Sequence, residues 1–257
     1  MKCAPYFSSS ARVFDDISWI SGIKDAGFSG WEIVADGNYR LDEKGVLPRI
    51  EEAVASTGLR VTVHAPYADL NTATLNYPIW CETVRQICVC IEKAATLTDC
   101  VTLHPGYLSP VGKLLPDKVW ALQKEALLEI GRCAQDCGVT ACVENMVGVK
   151  EFLCQVPSEL FGMTDGIEGI GVTIDFGHAH TKGIVAAFAR EVARATHVHI
   201  HDNHGSSDEH LSLESGTVPW KIVRDALGRD YHGIVVIEGR SLEEARDSIS
   251  VYRRWFT

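Results

Sequence analysis

The chain has 257 residues, 46% hydrophobic and 23% charged, with 34 acidic against 24 basic side chains and a formal net charge of −10. That balance argues against a broad nucleic-acid-binding surface, which needs clustered Lys and Arg, and nothing in the composition marks a disordered arm. Residues 1–14 carry one lysine and no continuous apolar stretch, so they read as neither signal peptide nor anchor, and no apolar run is long enough to span a bilayer; a cytoplasmic protein without a membrane partner is expected.

In chain order, β-type runs fall at 2–6, 31–34, 59–64, 100–104, 139–144, 170–175, 196–200 and 234–238. Between them, segments such as 80–96, 117–137, 182–193 and 242–255 repeat apolar residues three and four apart, the spacing of a helix packed on a sheet. Strict alternation of strand and helix implies parallel strands. Units of about 32 residues match the βα repeat of a closed barrel, whereas a doubly wound sheet more usually carries fewer strands. The prediction is an α/β protein with a single (β/α)8 barrel over residues 1–257, its pattern weakest in the first two units. The nine cysteines include no CxxC pair and lie mostly in apolar patterns, as Cys88, Cys90 and Cys142 do, so they read as small buried hydrophobes and not as disulfides or thiolate ligands.

The strand ends carry the functional signal. His64, His104, Glu144, Asp175, His199 and Glu238 each lie at or within a residue of one, and the C-terminal strand ends of a barrel converge on one face. His178, Asp208 and His210 sit in the loops that follow two of those strands. Taken singly, a histidine at a strand end is usually a hydrogen-bonded core or loop residue. Burying several carboxylates and imidazoles together is costly without a compensating cation, so their common location points to metal. Imidazole and carboxylate donors suit a divalent ion such as Zn or Mn, in one to three copies. Within Thr196-His-Val-His-Ile-His201 the histidines share one strand face. His199 is expected to ligate, His201 to support the site or touch substrate, and His197 to fill the barrel interior; His204 and His232 are expected to be ordinary loop residues.

The ordered segments His64-Ala-Pro-Tyr67, His104-Pro-Gly106, Glu144-Asn145, Ile174-Asp-Phe-Gly-His-Ala179, His199-Ile-His-Asp-Asn203, Asp208-Glu-His-Leu-Ser-Leu213 and Ile237-Glu238 resemble the successive motifs of the xylose isomerase-like barrel superfamily. That superfamily contains sugar isomerases and epimerases and also endonuclease IV. The resemblance implies that Glu144, Asp175, His199 and Glu238 stand where sugar epimerases hold one metal ion. It also implies that His64, His104, His178, Asp208 and His210 complete the positions endonuclease IV uses for three zinc ions. Two departures stand out: Gly205 replaces an arginine that well-known ketose epimerases use for substrate, and Ser212-Leu-Glu-Ser-Gly216 replaces a Gly-Glu-Gly ending of endonuclease IV.

Two chemistries fit these residues. In the first, the protein is an isomerase or epimerase of a small sugar, polyol or sugar phosphate, in which Glu144 and Glu238 act as base and acid on opposite faces of the substrate while touching the metal, and His178, His201 and Tyr67 contact substrate. In the second, a multinuclear zinc site hydrolyses a phosphoester, either abasic-site DNA or a small phosphate ester. Short connections after the strands, with only Tyr67 and Arg40 as candidate DNA contacts, favour the small-molecule substrate. A non-catalytic metal-binding protein is a third class, and self-association through the outer helices is compatible with the sequence.

Overall fold

The structure, a computed structural model, describes residues 3–256. Eight strands form one closed barrel in sequence order: β1 Ala4–Ser8, β2 Gly30–Val34, β3 Arg60–His64, β4 Cys100–Leu103, β5 Thr140–Glu144, β6 Ile170–Asp175, β7 His197–Ile200 and β8 Ile234–Glu238. Each strand pairs parallel to the next, and β1 closes on β8 with Ser8 opposite Glu238. The first strand lies two residues beyond its predicted position, and Lys2, which that prediction included, lies outside the described residues.

The helices are α1 Ser21–Ala26, α2 Val46–Thr57, α3 Tyr77–Ala94, α4 Pro116–Cys137, α5 Pro157–Thr164, α6 Phe176–Thr181, α7 Val185–Glu191, α8 Trp220–Asp230 and α9 Leu242–Trp255. Helix α3 buries Trp80, Val84, Ile87, Ile91 and Ala94, one stripe at helical spacing, against the barrel and α4. Pro116 opens α4 at a position whose missing N–H costs no hydrogen bond. Gly138 closes it with φ +69°, a left-handed turn that turns the chain into β5. The predicted helix at 182–193 is shorter, because Gly183 takes a positive φ and the helix begins only at Val185.

One apolar core lies between barrel and helices, built on side chains such as Phe7, Trp31, Ile33, Val101, Phe176 and Tyr252. The barrel interior is polar by comparison. Glu32 accepts a hydrogen bond from Thr62, and Thr102 Oγ1 lies 2.9 Å from Thr173 Oγ1, so these buried groups satisfy one another. The cysteines are all free, five of them buried.

The expectation of short connections does not hold. Residues 65–76, 104–115 and 145–156 separate strands from their helices, and 201–219 lie between β7 and α8. These loops are held by their own contacts: Asp202 and Leu211 exchange backbone hydrogen bonds, while the Asp202 carboxylate accepts from Val218 N and Trp220 Nε1. The gaps of 65–79 and 105–116 between the predicted strands and helices already match the first two of these loops. Among the described residues, no helix is long and apolar enough to cross a membrane.

Candidate metal centre

Parallel register brings the strand-end residues to one level. Val34 stands opposite His64, Glu144 opposite Thr173 and Asp175 opposite His199. Around this ring the ligand-type atoms gather in overlapping groups, each within 4.8 Å: His64, His104 and Glu144; Glu144, Asp175 and His178; Asp175, His199 and Glu238; and His178, His201, Asp208 and His210. Every residue predicted as a ligand is therefore in the cluster, and His201 joins it.

The Glu144 carboxylate is the hub. Its Oε2 lies 3.4 Å from His64 Nε2 and 3.3 Å from His104 Nε2, and its Oε1 lies 3.0 Å from His199 Nδ1. The Glu238 carboxylate approaches the same His199 Nδ1 at 3.6 Å. On the loop side, Asp208 Oδ2 lies 3.4 Å from His178 Nε2 and 2.9 Å from His210 Nε2, and Asp208 Oδ1 is 3.3 Å from His201 Nε2.

Three of the imidazoles, His64, His178 and His199, are aimed by a contact of the other ring nitrogen, a support that fixes tautomer and orientation. His64 Nδ1 is 2.9 Å from Ala65 O, and His178 Nδ1 is 2.8 Å from Asn145 O. Asn145 and Asp175 exchange two hydrogen bonds, side-chain amide to backbone, which lock β5 to β6 at the site. Asp175 Oδ1 also accepts the His178 N–H and caps α6. His199 Nε2 lies 3.2 Å from the Glu32 carboxylate, which also holds His197 Nε2 at 3.0 Å.

Glu32 was not read from the sequence. The available signal was an acid in the middle of the apolar strand Gly-Trp-Glu-Ile-Val, where a buried charge requires a partner. The three histidines of β7 and its extension occupy three successive layers. His197 sits lowest beside Glu32, His199 bridges Glu32 to Glu144, and His201 lies at the mouth, stacked on His210 with ring centroids 4.2 Å apart. His199, expected to ligate, and His201, expected to support the site or touch substrate, both face the cluster. Gly177 makes room for His201, because a Cβ there would meet its ring at 2.1 Å.

The remaining candidates separate clearly. Tyr67 stands edge-on to His64 and lines the site. Arg40 is held by Asp42 and Gln86 and lines neither cavity at the strand ends. His204 pairs with Glu209, and His232 lines a hollow at the opposite end of the barrel. Gly205 has φ +85°, a conformation an arginine would adopt only with strain, and Glu214 carries the left-handed turn of its loop at φ +66° while pairing outward with Arg254 and Trp255.

The electrostatics are those of carboxylates and imidazoles buried against one another. Both Glu144 oxygens, Asp175 Oδ2, His199 Nδ1 and both His201 nitrogens are buried with no hydrogen-bond partner among the described residues. Burial opposes the Glu144 charge, yet the His199, His104 and His64 imidazoles hold its carboxyl well below the usual range. His199 is the counterpart: burial lowers its pKa, but Glu32, Glu144 and Glu238 push it well up. His201 is likewise raised to about 9 by Asp175, Asp208 and Glu238 against burial, whereas burial and the neighbouring imidazoles lower His104. Unbonded carboxylate oxygens and imidazole nitrogens facing one another fit a divalent ion bound through N and O donors.

Two cavities meet here. One of about 310 Å³ is lined by His64, Glu144, His178, Asp208, His210 and Glu238, with Tyr67 and Ser10 at its edge. A second of about 340 Å³ shares Tyr67, His104, His178 and Asp208 with it and extends outward between the loops after β3, β4 and β5.

Residues 20–255 match the family model described as the xylose isomerase-like TIM barrel. The chain belongs to this family. An uncharacterised protein of Methanocaldococcus jannaschii is 31% identical over 97% of this chain and 88% of its own length. Fructoselysine 3-epimerase of Shigella flexneri is 27% identical over 61% of this chain and 58% of its own length. Among solved structures, a D-tagatose 3-epimerase-like protein superposes with a TM-score of 0.91 at 29% identity, covering 98% of this chain and 96% of the other. D-Psicose 3-epimerase from Clostridium cellulolyticum H10 shares the fold with a TM-score of 0.81 at 16% identity, over 98% of both chains.

Proposed function

We propose that the protein is a divalent-metal-dependent isomerase or epimerase of a small polyhydroxylated carbonyl compound. The observation that carries this reading is the convergence of Glu144 and Glu238 on one point, His199 Nδ1, at the wall of a cavity that both carboxylates line. A bound divalent ion supplies Lewis acidity, drawing charge from a carbonyl and its neighbouring hydroxyl and so easing loss of the proton between them. Glu144, Asp175, His199 and Glu238 would hold such an ion, Zn or Mn by donor type.

The chain's own groups then do the proton work. Glu238, 12% exposed where Glu144 is 1%, faces the cavity more openly and is placed to take or return a substrate α-proton, with Glu144 as its partner. His178 and Tyr67 bound the space a sugar would fill. The 29% identity to a D-tagatose 3-epimerase-like protein over nearly the whole chain, and the match to fructoselysine 3-epimerase over part of it, support the assignment.

A second reading has one specific observation behind it. His178, His201, Asp208 and His210 form a further donor group beyond what one ion needs, as a multinuclear phosphoester hydrolase would require. One experiment separates the two. The metal-loaded protein is incubated with D-tagatose and D-fructose in deuterated water, and separately with abasic duplex DNA and 4-nitrophenyl phosphate. Deuterium entering the carbon beside the carbonyl is the expected result. Phosphoester cleavage without exchange, lost in Asp208→Asn, would transfer the assignment to the hydrolase, and no reaction in any arm would leave a metal-binding protein without catalysis.

A further inference from the structure

The second cavity has no role in the proton chemistry, and its lining differs in kind from that of the first. Leu70, Ile87, Tyr107, Met146, Val147 and Phe152 line it, where the first cavity is walled mainly by imidazoles and carboxylates. Its two threonines are already engaged: Thr72 Oγ1 donates to Gln123 Oε1 at 2.7 Å, and Thr83 Oγ1 accepts from Asn71 N. Its ionisable lining comprises the acids Asp69 at the mouth and Asp208 at the boundary with the metal centre, and the imidazoles of His104 and His178 on the same boundary. Among the described residues lining either cavity there is no lysine or arginine. The nearby cations Lys113 and Lys182 are tied to Glu151 and Gln155.

The annex is also preformed. Tyr107 and Asn71 exchange two hydrogen bonds at 3.0 Å, Leu108 N donates to Glu151 O, and Leu153 N donates to Gly106 O, so the loops after β3, β4 and β5 are stitched into one wall. The Tyr107 and Phe152 rings meet edge-on at 6.0 Å across that seam. An apolar cavity of about 150 Å³ already holds a benzene ring. The annex is larger and opens directly onto the His104, His178 and Asp208 side of the site.

Resting on the epimerase reading, we infer that the substrate is an unphosphorylated polyhydroxy carbonyl compound whose end remote from the reacting carbon carries an apolar, ring-sized substituent seated between Leu70, Ile87, Met146 and Phe152. A phosphate in the annex would face two carboxylates with no lysine or arginine in the lining to pair with it, whereas an apolar ring would meet Leu70, Ile87, Met146 and Phe152.

The test is binding, read by titration calorimetry on the Mn²⁺-loaded protein with three D-fructose derivatives: 6-O-methyl, 6-O-benzyl and 6-phosphate. A second series carries the same groups at O1. In the O6 series the benzyl compound is expected to bind about 10-fold or more tightly than the methyl compound, with the phosphate no tighter than methyl, while the O1 series, beside the carbonyl, shows no benzyl advantage. Val147→Trp, filling the annex from one loop, and Leu70→Trp, filling it from another, are each expected to remove the benzyl advantage and leave methyl binding within about 2-fold. Equal benzyl and methyl affinities in the O6 series, a benzyl advantage confined to O1, a phosphate that outbinds methyl, or an advantage that survives both variants overturns the inference. A benzyl advantage without deuterium exchange keeps the annex and removes the epimerase chemistry. Exchange without a benzyl advantage does the reverse, and no binding in any arm removes both.

Discussion

Strands β1 and β2 and strands β3 to β8 build the two sides of this barrel differently. The later strands end in or within a residue of His64, His104, Glu144, Asp175, His199 and Glu238, while α6, where the sequence suggested a loop, adds His178 and the loop after β7 adds Asp208 and His210. The first two contribute Ser8 beside Glu238 and, one layer below the site, Glu32. Their outer faces carry an aromatic cluster, in which Trp19 and Tyr39 each meet Trp31 edge-on and Phe7 packs on Trp19 and Phe28. The difference shows how a barrel divides labour. The side that brings charges together is costly to fold without metal, and the side that brings rings together contributes the burial that offsets this cost.

The largest effect should come from the charged side. Glu144→Gln preserves size but removes the hub carboxylate, and deuterium exchange into a ketose should fall by about 10²-fold or more, as it should for Glu238→Gln. Retention of exchange in both variants would mean that neither glutamate moves the proton. Glu32→Gln tests whether the first strands act on the site through His199. Loss of this support should weaken metal binding by about 10 to 100-fold, measured by competition with a chromophoric chelator, while the conservative Glu32→Asp recovers part of it. An affinity unchanged in Glu32→Gln, with only the melting temperature lowered, would reduce Glu32 to a packing element.

Titration sharpens the contrast further. Burial depresses His201, but the surrounding carboxylates raise it to about 9, so a metal that takes His201 as a further donor would displace a proton at neutral pH. Calorimetry in buffers of different ionisation enthalpy should detect proton release near pH 7 that disappears as pH rises past about 9, with affinity increasing in the same direction. His197 carries the matching stability signature in the metal-free chain. It rises from 6.5 to about 9 as Cys100 and Glu32 overcome burial. Its contribution is therefore complete below about 6.5 and is lost as pH climbs through about 9, so metal-free protein should lose denaturant resistance on that alkaline limb. The smallest effect belongs to the aromatic side. Trp19→Phe removes the 2.9 Å bond to the Tyr39 hydroxyl and part of an edge-on packing, costing about 1 to 2 kcal/mol in denaturant unfolding without altering metal affinity.

Much of this architecture is legible along the chain. The alternation of β-branched runs with three-and-four spacing settles a parallel α/β barrel, because parallel strands need helical crossovers and each element must bury one face. The ligand-type residues could be picked out because they fall at strand ends, and a closed barrel has one C-terminal face. What the sequence does not carry is which nitrogen of an imidazole looks where. Period two places His197, His199 and His201 on one face, yet only their height in the barrel decides that Glu32 holds the first two and that His201 stacks on His210. That height comes from strand stagger, set by pairings across the whole ring and not by local pattern. Glu32 and the apolar annex were invisible for a related reason. A buried acid acquires meaning from partners more than 160 residues away, and the annex is lined by side chains from separate loops and from α3. Residue types and their periodicity determine the fold and the inventory of donors; the closing of the barrel and the stitching of its rim loops decide their aim and the shape of the space they face.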